Sequence, residues 1–118
     1  MPETNQDFDI YQNATEVINI AVTDAAGTPI DLTTMDSICW VLSRGSTEIV
    51  RYTLADPELV IVSIDATNDA MRITLPPATT GALNLGKLYR HQAWVTLAGA
   101  PRPVQVGSVT VLMGDGCS

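Results

Sequence analysis

A single histidine and two cysteines leave this 118-residue chain little material for catalysis or metal binding. A Ser-His-Asp relay could be built only on His91. The residues around it alternate so that His91 falls on the core side of a strand, between Tyr89 and Ala93, where a hydrogen-bonded structural role is expected. Cys39, Cys117 and His91 lie far apart and fit no zinc spacing. No phosphate loop or nucleophile elbow is present. Both cysteines are expected to be thiols, with Cys39 a small apolar filler in mid-strand. Basic residues are scarce as well: six Lys and Arg stand against thirteen Asp and Glu, a net charge of −7. That charge repels phosphates and anionic headgroups, and the few bases form no cluster, so neither nucleic acid nor a membrane surface is an expected partner. No apolar run reaches membrane-spanning length. The opening residues are polar and acidic, with no apolar stretch of a signal peptide behind them, which points to a product made in the cytoplasm.

Apolar residues are plentiful. They make up 46% of the chain, against 16% charged, the balance of a globular domain able to bury a core without metal or disulfide staples. A mean hydropathy of +0.17 is high for a small free monomer and suggests apolar surface intended for a partner. Almost every segment alternates with period two and is rich in Val, Ile and Thr. Phe8, Ile10 and Gln12 open the series. Ile18, Ile20 and Val22 point one way while Asn19, Ala21 and Thr23 point the other. Ile38, Trp40 and Leu42 line one face of a further strand. Gly45-Ser46 suits the two central residues of a type II′ hairpin leading into residues 48–53. Residues 59–64 are continuously apolar and read as a strand buried on both faces or packed on a partner. Met71, Ile73 and Leu75 form another inward row, ended by Pro76-Pro77. Residues 79–85 hold at most a short helical turn. Tyr89, His91, Ala93, Val95 and Leu97 share one face of a long strand. Residues 99–103, with Gly99, Pro101 and Pro103, read as the turn into a last strand over 104–113. Seven to nine strands with turn signals between them predict an antiparallel β-sandwich. Residues 1–7 are expected to be a flexible arm and residues 114–118 a tail.

Leu85-Gly86-Lys87-Leu88-Tyr89, just before the long penultimate strand, fits a tyrosine corner, in which the phenol bonds back to backbone a few residues upstream. With these segments placed, the chain resembles a family of tailed-phage virion modules of immunoglobulin-like fold, typified by the N-terminal domain of siphophage baseplate upper proteins. Phe8-Asp9-Ile10-Tyr11-Gln12-Asn13 is similar to that family's opening strand. Residues 22–33, containing Asp24, Gly27, Pro29, Asp31, Leu32 and Thr33, are similar to its D-x-x-G-x-P-x-D-L-T turn. The third place is the Leu85, Gly86, Tyr89 corner. Asn13 stands where the family has glycine, a substitution the left-handed region tolerates. Leu88 is an insertion that implies a bulge at the corner. The resemblance implies an immunoglobulin-like sandwich and a non-catalytic virion component.

The acidic pairs Asp7 with Asp9 and Asp65 with Asp69 lie in terminal or turn positions, where caps are expected rather than glycoside hydrolysis. Asp65, Asn68 and Asp69 lack the glycine and distal glutamate of a dedicated calcium loop. No cofactor and no metal are expected. The candidates for an interface are Arg90, Gln92 and Trp94, which point away from the core if Tyr89 and Val95 point into it. Trp94 could equally be covered by a layer of its own fold. The expectation for function, on grounds of economy, is a capsid decoration or cement protein of a phage virion, a homo-oligomer expected to be a trimer, bound to the major capsid protein by many weak contacts. The alternatives are a tail, neck or baseplate adaptor on the same fold, and a carbohydrate- or receptor-binding module using Trp94 or Trp40.

Overall fold

The computed structural model describes residues 4–5, 7–24 and 26–113. They form nine strands: β1 (Thr4–Asn5), β2 (Phe8–Tyr11), β3 (Glu16–Ala21), β4 (Ser37–Arg44), β5 (Thr47–Thr53), β6 (Leu59–Val62), β7 (Ala70–Leu75), β8 (Gly86–Leu97) and β9 (Ala100–Leu112). A 3-10 turn (Leu32–Thr34) and one helical turn, α1 (Pro77–Gly81), interrupt them. The larger sheet runs β1-β9-β8-β4-β5, with β2 also on β9; the smaller runs β3-β7-β6. The pairs are antiparallel except that β1 and β2 lie parallel to β9.

The inward rows close into one core. Ile18, Ile20, Val22, Ile38, Trp40, Leu42, Met71, Ile73 and Leu75 all belong to it, with Tyr89, Ala93 and Val95 from β8. Each Ile or Leu so buried contributes roughly 1.5–3 kcal/mol relative to exposure. At the centre, the Trp40 indole N–H donates to His91 Nδ1 at 3.4 Å. The Phe8 ring packs on the imidazole at 4.6 Å between centroids, and Tyr52 stacks on Trp40 at 6.4 Å. Four strands of the larger sheet therefore meet on one aromatic group, and His91 is a core residue with no exposed surface.

Each loop motif resolves into backbone chemistry. Asp24 Oδ1 accepts the N–H groups of Ala26 and Thr28, and Asp31 Oδ1 accepts that of Thr33 at the start of the 3-10 turn. Gly27 takes φ +82° between them. Asn13 adopts φ +64°, as its place in the opening motif anticipates, and Gly81 packs close beside it: a Cβ there would stand 2.5 Å from Asn13 Oδ1, so the Asn13 side chain would have to shift. Gly45 at φ +60° leads the β4–β5 hairpin, and Ser46 keeps a negative φ, the type II′ pattern. Tyr89 completes a tyrosine corner, its phenol oxygen accepting the Asn84 N–H at 2.8 Å. The β8–β9 register shifts between Gly86 and Tyr89, the bulge that the inserted Leu88 implies.

Several expectations are corrected. Residues 59–64 are not doubly buried: β6 is a four-residue edge strand with Leu59 inward and Val60 exposed. The β8–β9 turn is Ala98-Gly99, both at positive φ, and Pro101 and Pro103 lie inside β9 opposite Thr96 and Trp94. Proline is tolerated there because, among the described residues, β1 reaches only to Gln105 and that stretch of β9 has one neighbour. Leu97 is exposed at the end of its row. The helical turn starts at Pro77 rather than at residue 79. Of residues 1–7, Thr4 and Asn5 pair with Gln105 and Val106, and Asp7 Oδ1 accepts the Ser108 N–H at 2.8 Å, so this part of the expected arm is laid along β9. The tail 114–118, including Cys117, lies outside the described residues.

Two predictions follow from the corner and the Asp65–Asp69 loop. Tyr89→Phe leaves the Asn84 N–H without its acceptor and lowers stability by about 1–2 kcal/mol in urea unfolding. Asp69 is buried and accepts from Ile64 and Asp65 N–H at 2.8 and 3.0 Å. The Ile64 bond, chiefly, holds its carboxyl below the usual carboxylate range against the opposing effect of burial. Its contribution is complete above that range and is lost as pH falls through the lowered value. The stability gap between the wild type and Asp69→Asn, measured across a pH series, narrows in acid; a gap independent of pH contradicts the assignment.

Candidate interaction face

The β8 row that alternates with the core row is Arg90, Gln92, Trp94 and Thr96. The register fixes what stands beside it. Trp94 lies between Cys39 and Pro103, and Gln92 between Val41 and Val106. Arg90 lies between Ser43 and Ser108, and on β5 Arg51 and Thr53 extend the Val41 and Cys39 rows. This outer face carries a shallow trough of about 610 Å³, with Cys39, Val41, Gln92, Trp94 and Thr96 along it and Asp36, Arg51, Leu54 and Pro101 around them. Gln92 and Trp94 of the sequence candidates line it; Arg90 is exposed on the same face but outside the trough.

Trp94 is half-buried by its neighbours in the sheet, and among the described residues no second layer covers it. Its indole N–H donates to Gln92 Oε1 at 3.1 Å, which fixes the ring against the sheet. Val41 and Val106 are nearly inaccessible yet stand outside the core cluster; Val41 lines the trough, and Val106 flanks Gln92 on the other side. The Arg51 guanidinium spans two partners, donating from Nε to Glu48 Oε1 at 2.7 Å and from Nη1 to Cys39 Sγ at 3.8 Å. Burial pushes the Cys39 thiol up, and the nearby Arg51 charge partly offsets it.

Among the described residues the arrangement provides surface for contact and gathers no set of catalytic side chains. His91 is on the opposite side of the same sheet, sealed in the core. Asp7 and Asp69, members of the two acidic pairs, are spent on backbone N–H groups. Among the described residues no three His, Cys, Asp or Glu side chains gather as metal ligands, and no helix is long and apolar enough to cross a membrane. Sequence reasoning missed Val41, Cys39 and Arg51 as parts of the face. The outward parity of Cys39 and Val41 was readable from Ile38, Trp40 and Leu42, but their position beside Trp94 depends on strand pairing.

No family model matches the chain, and no curated protein matches its sequence. Solved structures align with most of the chain at low similarity. The extracellular domain of mouse leukocyte-associated immunoglobulin-like receptor 1, crystallised as a strand-swapped dimer, aligns at 7% identity over 90% of this chain and 87% of that one, with a TM-score of 0.46. A VGSC beta-subunit structure, from work on multimeric cell-adhesive interactions, aligns at 6% identity over 95% and 93%, TM-score 0.47. AggA, the major subunit of aggregative adherence fimbriae type I from Escherichia coli, aligns at 14% identity over 95% and 91%, TM-score 0.28. On its own two facing sheets, parallel N-terminal strands on β9 and tyrosine corner, the chain is an immunoglobulin-like β-sandwich.

The Cys39–Arg51 contact is testable by thiol alkylation in a Cys117→Ser background. The midpoint of the pH–rate profile lies above that of a free thiol, and Arg51→Ala moves it higher still. A midpoint unmoved by Arg51→Ala contradicts the electrostatic contact.

Proposed function

We propose that this domain is a non-catalytic building block of a larger assembly, and that its docking surface is the outer face of the larger sheet around Trp94. The observation that supports this most is the open trough: Val41 and Cys39 beside a half-buried Trp94, with Arg51 and Gln92 at hand, is the composition of an interface centre. The assembly we propose is a tailed-phage virion, on the strength of the three sequence motifs that resemble phage modules, and the role within it is decoration of the capsid shell. A decoration subunit needs one docking face and contacts with its own kind, and many copies then stabilise the shell by avidity.

Quantifying the protein in purified particles of the phage that encodes it tests the reading. A copy number set by the shell lattice supports decoration, and one set by the rotational symmetry of the tail moves the protein to a tail or baseplate. Absence from the particle overturns the virion role. Within a positive result, Trp94→Ala releases the subunit from particles while leaving its own folding transition within about 1 kcal/mol of wild type, because the side chain stands outside the core.

A further inference from the structure

The larger sheet has one open face, but the smaller has an open edge, and the two invite different partners. Natural sheets blunt their edges with short strands, bulges, charges or prolines. Most edges here do so. β6 has four residues; β5 carries Glu48 and Arg51 and a register shift opposite Leu42 and Ser43; the free stretch of β9 carries Pro101 and Pro103; β2 has four residues. β3 is the exception. Its six residues, Glu-Val-Ile-Asn-Ile-Ala, pair with β7 on one side and with no strand on the other among the described residues. It has no proline, lysine or bulge. Its single charge, Glu16, is turned aside to accept the Tyr11 N–H at 3.1 Å. Val17 is 52% exposed, and a narrow gap of about 130 Å³ opens along the same edge, between Phe8 and Asp9 of β2 and residues 16–19 of β3.

We propose that the β3 edge is a self-association site, where β3 of a second copy adds antiparallel about a two-fold axis through Asn19. Residues directly opposite in an antiparallel pair point to the same face, so only a centre on a residue keeps both cores aligned. Centring on Asn19 sets Ile18 against Ile20 of the second copy on the inner side, next to the gap. On the outer side it sets Val17 against Ala21 and Asn19 against Asn19. No charges meet, and Glu16 falls opposite Val22. The segment is complementary to itself, which is what an isologous contact requires. The two small sheets become one six-stranded sheet, and every second residue of β3 gains a backbone partner. The contact closes as a dimer in place of the expected trimer and leaves the Trp94 face of both copies free. Each copy carries −7, so screening by salt strengthens the pair.

The test is sedimentation of the full chain across concentration and salt, with a cross-linking arm. Wild type forms a dimer that tightens with added salt. Asn19→Asp keeps an acceptor for Arg72, which donates to Asn19 Oδ1 at 2.9 Å in the wild type, but sets two like charges face to face and weakens the dimer about tenfold or more. In a Cys39→Ser, Cys117→Ser background, Asn19→Cys forms an interchain disulfide on oxidation, whereas Thr74→Cys, on the central strand of the same sheet, does not. Trp94→Ala leaves the dimer intact, so failure of the docking face and failure of this edge are separable. A wild type that stays monomeric at the highest attainable concentration, or a dimer indifferent to Asn19→Asp, overturns the proposal.

Discussion

Everything in this domain depends on β8 keeping its register between β4 and β9. Its residues alternate strictly between a closed side, with Tyr89, His91, Ala93 and Val95, and an open side, with Arg90, Gln92, Trp94 and Thr96. A slip of one residue would put Trp94 and Arg90 in the core and the aromatic cluster in water. Several features prevent it. The Tyr89 corner ties the start of the strand to Asn84, and the Trp40–His91 hydrogen bond ties its middle to β4. A bulge at Val104 shifts β9 by one residue, so that Val104, Val109 and Val111 all reach the core while Val106 turns to the outer face.

His91 shows how a chemically capable group becomes structural. To accept from the buried Trp40 indole its Nδ1 must carry no proton, and the ring is enclosed by Phe8 and Trp40. A buried indole N–H left without an acceptor costs roughly 1–3 kcal/mol, so His91 has a structural role in satisfying Trp40. The acidic side chains follow the same logic: Asp24, Asp31 and Asp69 each satisfy two or more donors that their loops would otherwise leave unpaired. The polar chemistry of the chain goes largely into shaping loops, which leaves its sheet surfaces to meet other molecules.

Much of this was legible in the residues. Period-two rows such as Ile18-Ile20-Val22 and Met71-Ile73-Leu75 marked the core side directly, because alternation is a local property. Asn13 and Gly45 marked their turns, since few residues accept positive φ. The Tyr89 corner was legible for a similar reason, its partner being only five residues away. What depended on pairing was not legible. Pro101 and Pro103 looked like a turn because their pairing on one side only, among the described residues, is invisible in sequence. The apolar residues 59–64 looked doubly buried, although an edge strand of a small sheet has only one core face. The docking of Thr4 and Asn5 on β9 spans a separation of about the whole chain. For the interaction face, Gln92 and Trp94 came from strand parity alone, while Val41, Cys39 and Arg51 joined them only once four strands were set side by side.

The central claim is that one face of the larger sheet is closed by the core and the other is open for a partner. A density map of the particle proposed to contain the domain is the decisive measurement. The account predicts that the domain sits with the β4–β8–β9 surface toward its neighbour and with Trp94 out of contact with solvent. A particle in which that surface faces outward, bare, while the domain is held by some other side, would contradict it.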